Sequence, residues 1–194
     1  MKKIAVFCGS SKGLNEIYSN EAIKVGHYFA DNQIGLVYGG GKTGLMGVIA
    51  DAMLKKNGEV IGVIPSLLRH VEVEHKGITK MIVTKKMSKR KVIISKLVDG
   101  YIALAGGFGT LDEIFEALTL GQLAIENKPI GILNTNNFYG FTLKQLDIMV
   151  KEGFLKQANR DMLLVSDNIE NLINQMENYT PPKLGKVVNM IVKK

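Results

Sequence analysis

The sequence has a single cysteine, Cys8, and no apolar run long enough to cross a membrane. One thiol excludes a disulfide framework within the chain, which is typical of proteins from a reducing compartment. The three histidines, His27, His70 and His75, have no metal-ligand spacing, so we predict no metal site. The apolar run that follows the two N-terminal lysines is too short for a signal peptide, and we expect a cytoplasmic protein.

Charge of one sign is in excess, with a formal net charge of +7. A basic surplus favours anionic partners such as nucleic acid, acidic lipid or phosphorylated metabolites. No basic stretch is interleaved with aromatic residues in the way that a single-strand nucleic-acid binder needs. We interpret the lysines of the C-terminal tail as solvated surface. We therefore expect a phosphorylated small molecule as the partner, with no nucleic acid and no membrane.

Short apolar runs alternate with longer amphipathic segments along the chain. The predicted strands are 4–7, 34–38, 60–64, 101–105, 130–133 and 163–165, and the predicted helices are 16–31, 45–56, 88–98, 111–123, 141–151 and 169–178. The strands are continuously apolar, as burial on both faces requires. The pattern predicts an α/β fold, a Rossmann-like doubly wound parallel sheet with helices on both faces. We expect one nucleotide-binding domain, 1–180, and a basic tail, 181–194. The segment 66–86 has no clear pattern.

Three predicted strands end in loops of small residues, 9–13, 39–44 and 106–110, and each loop precedes a helix. In open α/β sheets, ligands bind outside the carboxyl ends of the strands. Glycine lets the backbone approach a ligand closely, and a helix N-terminus offers free N–H groups and a partial positive charge. Such loops side by side suit a small molecule that carries a phosphate.

Two familiar nucleotide motifs do not explain the second loop. Gly41-Lys42-Thr43 resembles the end of a Walker A loop, but Leu36 stands where that motif needs its first glycine. Gly39-x-Gly41-x-x-Gly44 does match the dinucleotide fingerprint. The acid at the required spacing, Glu59, precedes its strand and would lie at the wrong end of the sheet. The pattern gives little support to NAD binding, and we expect no cofactor.

The acid after the third loop has two interpretations. Thr110-Leu111-Asp112-Glu113 fits a capping box, in which Thr110 caps the helix and Glu113 reaches back to it. The alternative is a catalytic carboxylate, because Glu113 follows a glycine-rich strand end and shares a helix face with Glu116. Arg90 and Lys91 lie near the start of the preceding helix, where the helix dipole disfavours cations. Their position predicts a bound anion or a carboxylate partner.

Six segments of the chain together resemble a known family. They are Val6-Phe7-Cys8-Gly9-Ser10-Ser11, Val37-Tyr38-Gly39-Gly40-Gly41, Gly44-Leu45-Met46-Gly47, Val63-Ile64-Pro65, Met87-x-x-Arg90-Lys91 and Gly106-Gly107-Phe108-Gly109-Thr110-Leu111-Asp112-Glu113. The chain is similar to the Lonely Guy family, nucleoside 5′-monophosphate phosphoribohydrolases that are often mislabelled lysine decarboxylases. The similarity extends to about Asn134, and Ala105 stands where the family motif Pro-Gly-Gly-x-Gly-Thr-x-x-Glu has proline. Since proline would stiffen this loop without donating a contact, we expect a small effect.

The resemblance implies a catalytic pair, Arg90 and Glu113, and a set of substrate-binding residues. It aligns Glu72 with a substrate-binding acid, although Glu74 is close enough for a register slip. The substrate-binding set is Glu72, Lys91, Gly106, Gly107, Phe108, Gly109, Thr110, Leu111, Asp112, Glu116, Thr119, Gly40, Gly41 and Met87.

The implied reaction is hydrolysis of the N-glycosidic bond of a purine nucleotide, a cytokinin riboside or adenosine 5′-monophosphate, to free base and ribose 5-phosphate. The family also implies a homodimer. The alternative is a carrier that binds a nucleotide or molybdenum cofactor without catalysis. A lysine decarboxylase is the least favoured, because no lysine has the context of a Schiff-base lysine.

Overall fold

The computed structural model describes residues 1–69 and 73–182 of the chain. Most predicted elements are present with shifts of one to three residues at their ends. Strand β4 and the short helix α6 were not predicted, and the predicted tail lies outside the described residues beyond Pro182. The elements are β1 Lys3–Phe7, α1 Glu16–Asp31, β2 Gly35–Tyr38, α2 Gly44–Lys55, β3 Val60–Pro65, β4 Lys80–Thr84, α3 Met87–Leu97, β5 Gly100–Ala103, α4 Phe108–Gln122, β6 Ile130–Leu133, α5 Gly140–Lys151, α6 Gln157–Arg160, β7 Leu163–Ser166 and α7 Ile169–Glu177.

The described strands form one seven-stranded sheet in the order β4-β3-β2-β1-β5-β6-β7. Every neighbouring pair of strands is parallel. The chain builds outward from β1 to β4 and then crosses back to place β5 on the other side of β1. This order confirms the predicted doubly wound fold. The side of the sheet to which successive strands are added changes between β4 and β5. The carboxyl ends of β1 and β5 therefore border the crevice where such sheets bind ligands.

Helices cover both faces of the sheet because successive side chains of each strand point in opposite directions. Ile4 and Val6 of β1 face a core that also contains residues of α1, α2 and α7. Ala5 and Phe7 face a second core, shared with α3, α4 and α5. Burial on both sides explains why the central strands are continuously apolar.

Strand β4 lies within 66–86, the segment in which we found no clear pattern. Its apolar run, 81–83, is short and is flanked by lysines, and its burial runs from exposed Lys80 through partly buried Met81 and Ile82 and exposed Val83 to buried Thr84. Its strand conformation depends on pairing with β3, from Ile61 opposite Lys80 to Pro65 opposite Thr84. Such long-range pairing leaves little local signal in the sequence.

Cys8 lies in the interior, directly after β1. Burial raises the pKa of this thiol, and the negative charge of Glu113 raises it further. Within residues 1–69 and 73–182, no helix combines the length and the apolar character needed to cross a membrane.

Candidate active site

The three glycine-rich loops meet at the carboxyl edge of the sheet, because β1 lies between β2 and β5. The Gly9 N–H donates to the Ala105 carbonyl at 3.0 Å, which joins the first loop to the third. The Leu45 N–H donates to the Gly9 carbonyl at 3.0 Å, which joins the first loop to the start of α2. The place predicted from the three strand ends is therefore a single site.

A cavity of about 190 Å³ opens where the loops meet, and we call it the catalytic cavity. Its walls come from the end of β1, from Gly39 after β2, from α3 and from the beginning of α4. The lining residues are Val6, Phe7, Cys8, Gly9, Ser10, Gly39, Met46, Arg90, Gly107, Phe108, Gly109, Thr110 and Glu113.

Arg90 extends from α3 into this cavity and is 7% exposed. Its Nη2 lies 3.1 Å from Oε1 of Glu113. Its Nε donates to the carbonyl of Val63, at the end of β3, at 3.1 Å, and its Nη1 lies 3.5 Å from Sδ of Met87. The guanidinium is thus held by β3, by α4 and by the first residue of its own helix. The carboxylate partner that we predicted for this cation is Glu113.

Glu113 enters the cavity from α4, and 11% of its side chain is exposed. The capping-box interpretation is wrong, because α4 begins at Phe108 and its N-cap residue is Gly107. Thr110 is therefore the third helical residue and does not occupy the cap position. Because α4 begins three residues earlier than we predicted, Glu113 is its sixth residue. From this position its side chain reaches Arg90.

Lys91 binds two carboxylates beside the pair of Arg90 and Glu113. Its Nζ lies 2.8 Å from Oδ2 of Asp112 and also contacts Oε2 of Glu116. Partial burial lowers the pKa of Lys91, but the hydrogen bonds to Asp112 and Glu116 outweigh it and raise the pKa above its ordinary value. Lys91 is therefore a protonated cation that links α3 to α4.

The N-terminus of α4 is arranged as an anion-binding end. Gly107 provides no side-chain cap, and the first turn contains no acidic residue. A Cβ atom added at Gly107 or Gly109 would meet nothing within 4 Å, so the backbone here is open to a ligand. Phe108, between these glycines, is 93% exposed. Free amides at a helix N-terminus together with the helix dipole suit a phosphate group.

A second, larger cavity of about 370 Å³ adjoins the catalytic cavity between α3 and α4. The two cavities share Phe7 and Glu113. Apolar side chains such as Val92, Ala117 and Leu120 form much of its wall. Glu113 therefore stands between a polar cavity, bounded by glycine loops, and an apolar one.

Other predicted substrate-binding residues lie around the catalytic cavity without lining it. Gly40 has a positive φ of 85° and packs against Met81 and Ile64. Gly41 forms an antiparallel bridge with Glu74. Gly106 packs against the side chain of Thr110.

Thr119, Leu111 and Glu74 contact other parts of the protein. Thr119 lies on another face of α4, lines a separate cavity and donates its hydroxyl to the Phe115 carbonyl at 2.8 Å. Leu111 packs with the core beneath α4. Glu74 pairs with Arg69 at 2.6 Å, and Glu72 lies outside the described residues.

Met46 and Val63 contribute to the site but were not predicted as site residues, although both belong to segments of the family resemblance. Met46 lines the catalytic cavity, and Val63 acts through its backbone carbonyl, which accepts from Arg90. Because every residue type has a backbone carbonyl, the identity of residue 63 does not predict this contact. Glu59, which we expected at the wrong end of the sheet for a dinucleotide site, pairs there with Lys3 at 3.0 Å.

Comparison with known proteins shows the family to which the chain belongs. Residues 46–176 match the family model described as possible lysine decarboxylase. The cytokinin riboside 5′-monophosphate phosphoribohydrolase LOG5 of Arabidopsis thaliana is 36% identical over 186 residues, which cover 96% of this chain and 82% of that protein. LOG7 of Arabidopsis thaliana, also named as a cytokinin riboside 5′-monophosphate phosphoribohydrolase, is 39% identical over 180 residues. These residues cover 93% of this chain and 83% of LOG7. The chain belongs to the Lonely Guy family.

A solved structure shows the same fold in a protein of another function. The molybdenum cofactor binding protein of Rippkaea orientalis superimposes with a TM-score of 0.68 and 23% sequence identity, covering 92% of this chain and 97% of that chain. At this identity the likeness extends to the fold alone. The Lonely Guy relationship, in contrast, rests on sequence identities of 36% and 39% over more than nine tenths of the chain.

Proposed function

We propose that the protein hydrolyses the N-glycosidic bond of a purine nucleoside 5′-monophosphate, releasing the free base and ribose 5-phosphate. The observation that carries the proposal is the contact of 3.1 Å between Arg90 and Glu113 inside a cavity bounded by glycine loops. The relatives named as cytokinin riboside 5′-monophosphate phosphoribohydrolases support the same reaction.

Each part of the cavity has a role in this reaction. The amides at the start of α4, with Thr110, hold the 5′-phosphate. As the bond to the base breaks, its electron pair leaves with the base and positive charge develops on the ribose. The carboxylate of Glu113 stabilises that charge and orients the water whose oxygen bonds to the anomeric carbon. Arg90 holds the carboxylate in place. The water gives up one proton as its oxygen bonds to the anomeric carbon, and the departing base gains one proton, so the products are ribose 5-phosphate and the neutral base. The apolar cavity that shares Glu113 with the catalytic cavity accommodates the base.

A decarboxylase with a Schiff-base lysine is not supported by the site. Lys91 is the lysine adjacent to the catalytic pair, and Asp112 and Glu116 both bind its amino group. A raised pKa keeps that amino group protonated, whereas Schiff-base formation needs a free amine.

The homodimer and the cytoplasmic location remain proposals. Val92, Leu123 and Ile125 are exposed apolar residues on α3 and just after α4, and an interface between two copies would cover them. Light scattering of the purified protein should give twice the monomer mass. Val92→Glu should reduce the measured mass toward that of the monomer, because it places a charge in the interface. A buried, unpaired Cys8 fits a reducing compartment.

The test is release of base from AMP and from an N6-substituted adenosine monophosphate, measured by chromatography. Glu113→Gln preserves shape but removes the charge, so kcat/KM should fall by about 100-fold or more. Glu59→Gln is the matched control, because Glu59 also forms an ion pair but lies at the opposite edge of the sheet. Full activity of Glu113→Gln would contradict the mechanism. Tight binding of AMP by the wild type without turnover would favour a carrier.

A further inference from the structure

Residues 73–77, which we call the strap, lie across the second glycine loop. The Lys42 N–H donates to the Val73 carbonyl at 2.8 Å, and the His75 N–H donates to the Gly40 carbonyl at 2.9 Å. Between these two bonds, Gly41 and Glu74 form an antiparallel bridge. The strap thus holds the backbone of the loop from Gly40 to Lys42.

The strap is itself fastened through the side chain of His75, which is 4% exposed. Its Nδ1 lies 3.1 Å from the backbone nitrogen of Gly77 and accepts that N–H. Since a neutral imidazole has one donor and one acceptor, the other nitrogen, Nε2, carries the proton. It lies 3.0 Å from Oδ1 of Asp51 on α2 and donates to it. His75 therefore joins the strap to the helix that follows the loop.

Gly39, the first residue of the fastened loop, forms a wall of the Arg90 site. A Cβ added at Gly39 would lie 2.8 Å from Nη2 of Arg90, the atom that contacts Glu113. The guanidinium therefore packs directly on the Gly39 backbone. If the loop shifts, this wall shifts with it.

A strained residue in the strap provides an independent observation. Val73 has a φ of 48°, in the left-handed region that β-branched residues rarely adopt. Such strain persists only where the surrounding structure holds the residue, and it concentrates at functional sites. The carbonyl of this strained residue is the one that accepts from Lys42.

The geometry points to His75 as a positioning residue for catalysis. By fastening the strap to Asp51, it keeps the Gly39-Gly40 backbone against Arg90, and Arg90 in turn holds Glu113. The role rests on the proposed hydrolysis. It extends that function to a histidine outside the catalytic cavity, one for which the sequence analysis found no role.

The expected effect is on kcat and not on KM. His75→Ala should lower kcat about tenfold, because a small displacement of a catalytic group has a large effect on rate. The phosphate site at the start of α4 lies on the other side of the cavity, so KM for AMP should stay within about twofold.

Two conservative variants separate the two hydrogen bonds of the imidazole. His75→Gln places an amide N–H where Nε2 lies and can still donate to Asp51. His75→Asn places an oxygen where Nδ1 lies and can still accept from Gly77. Because the bond to Asp51 fastens the strap to α2, His75→Gln should restore most of kcat and His75→Asn should not. Asp51→Ala should reproduce the loss, whereas Asp51→Asn, which keeps an acceptor oxygen, should not.

The control for general destabilisation is Met53→Ala, which removes a fully buried side chain from α2. It should lower Tm at least as much as His75→Ala while leaving kcat near the wild-type value. If kcat falls equally in both variants, or if His75→Ala raises KM and leaves kcat unchanged, the positioning role is wrong.

Hydrogen exchange provides a readout that does not depend on turnover. Peptides covering 39–44 should exchange faster in His75→Ala than in the wild type, because the amide of Lys42 loses its fixed acceptor. If the wild type releases no base, the proposed function fails, and exchange alone decides the role of the strap. Unchanged exchange in His75→Ala would overturn it.

Discussion

The second and third glycine-rich loops are similar in composition but differ in what their glycines contact. In the second loop and the helix turn after it, the protein's own atoms require glycine. A Cβ at Gly39 would lie 2.8 Å from Arg90, one at Gly44 would lie 2.2 Å from the carbonyl carbon of Ser10, and one at Gly47 would lie 1.9 Å from the Lys42 oxygen. Gly44 also has a positive φ of 64°.

The third loop contains glycines for which the fold has no such requirement. A Cβ at Gly107 or Gly109 would meet nothing within 4 Å, although one at Gly106 would lie 2.1 Å from the Thr110 hydroxyl oxygen. Gly109 lies within α4, where a glycine in open space lowers helix stability without a packing benefit. The difference indicates that the second loop is small in order to pack, whereas the end of the third leaves room for a ligand.

The largest effect that tests this contrast is expected for Gly44→Ala. The substitution combines left-handed strain with a backbone clash against Ser10, and we expect a loss of about 3 kcal/mol or more in the free energy of unfolding. Urea denaturation measures it. A variant with wild-type stability would show that the second loop is not closely packed.

Gly109→Ala should have the opposite effect on stability. Since the added Cβ meets no protein atom and alanine favours helix, the free energy of unfolding should rise by up to about 1 kcal/mol. The same methyl group would occupy ligand space, so kcat/KM for AMP should fall about tenfold, mainly through KM. If the variant is stabilised and keeps full activity, the open glycines do not serve the ligand.

The smallest effect is expected at the opposite edge of the sheet, where Asp99 accepts the N–H groups of Lys2 and Lys3 at 2.6 and 3.1 Å. Partial burial raises the pKa of Asp99, but these two N–H groups outweigh it and lower the pKa below 3.8. A lowered folded pKa stabilises the protein above the unfolded pKa, and this stabilisation is lost as the pH falls through the folded pKa.

Asp99→Asn should therefore reduce stability at pH 7 by less than about 1 kcal/mol, because the carboxylate is exposed. Thermal melts should show that the difference in Tm between wild type and variant shrinks as the pH falls below 3.8. Base release at pH 7 should not change, since both glycine loops lie at the far edge. Altered activity would mean that the two edges are coupled.

Local patterns were sufficient for most of the fold. Continuous apolar runs such as Ile4–Phe7 and amphipathic segments such as 16–31 predicted the strands, the helices and the doubly wound sheet. Lys80–Thr84 was missed because lysines flank its short apolar run, and its strand conformation depends on pairing with β3. Local rules also misplaced the start of α4. These rules favoured Thr110 as the N-cap residue, whereas the N-cap residue of α4 is Gly107.

The sequence by itself determined the layered α/β architecture, the edge of the sheet where the site lies, and the residue types Arg90 and Glu113 at that edge. Only the tertiary structure decided that Arg90 and Glu113 meet at 3.1 Å, that Thr119 faces a different cavity, and that His75 fastens the strap over the second loop. The physical reason is the range of the interactions. Periodicity and loop composition act within one element, whereas these contacts join residues whose separation is set by the packing of helices on the sheet.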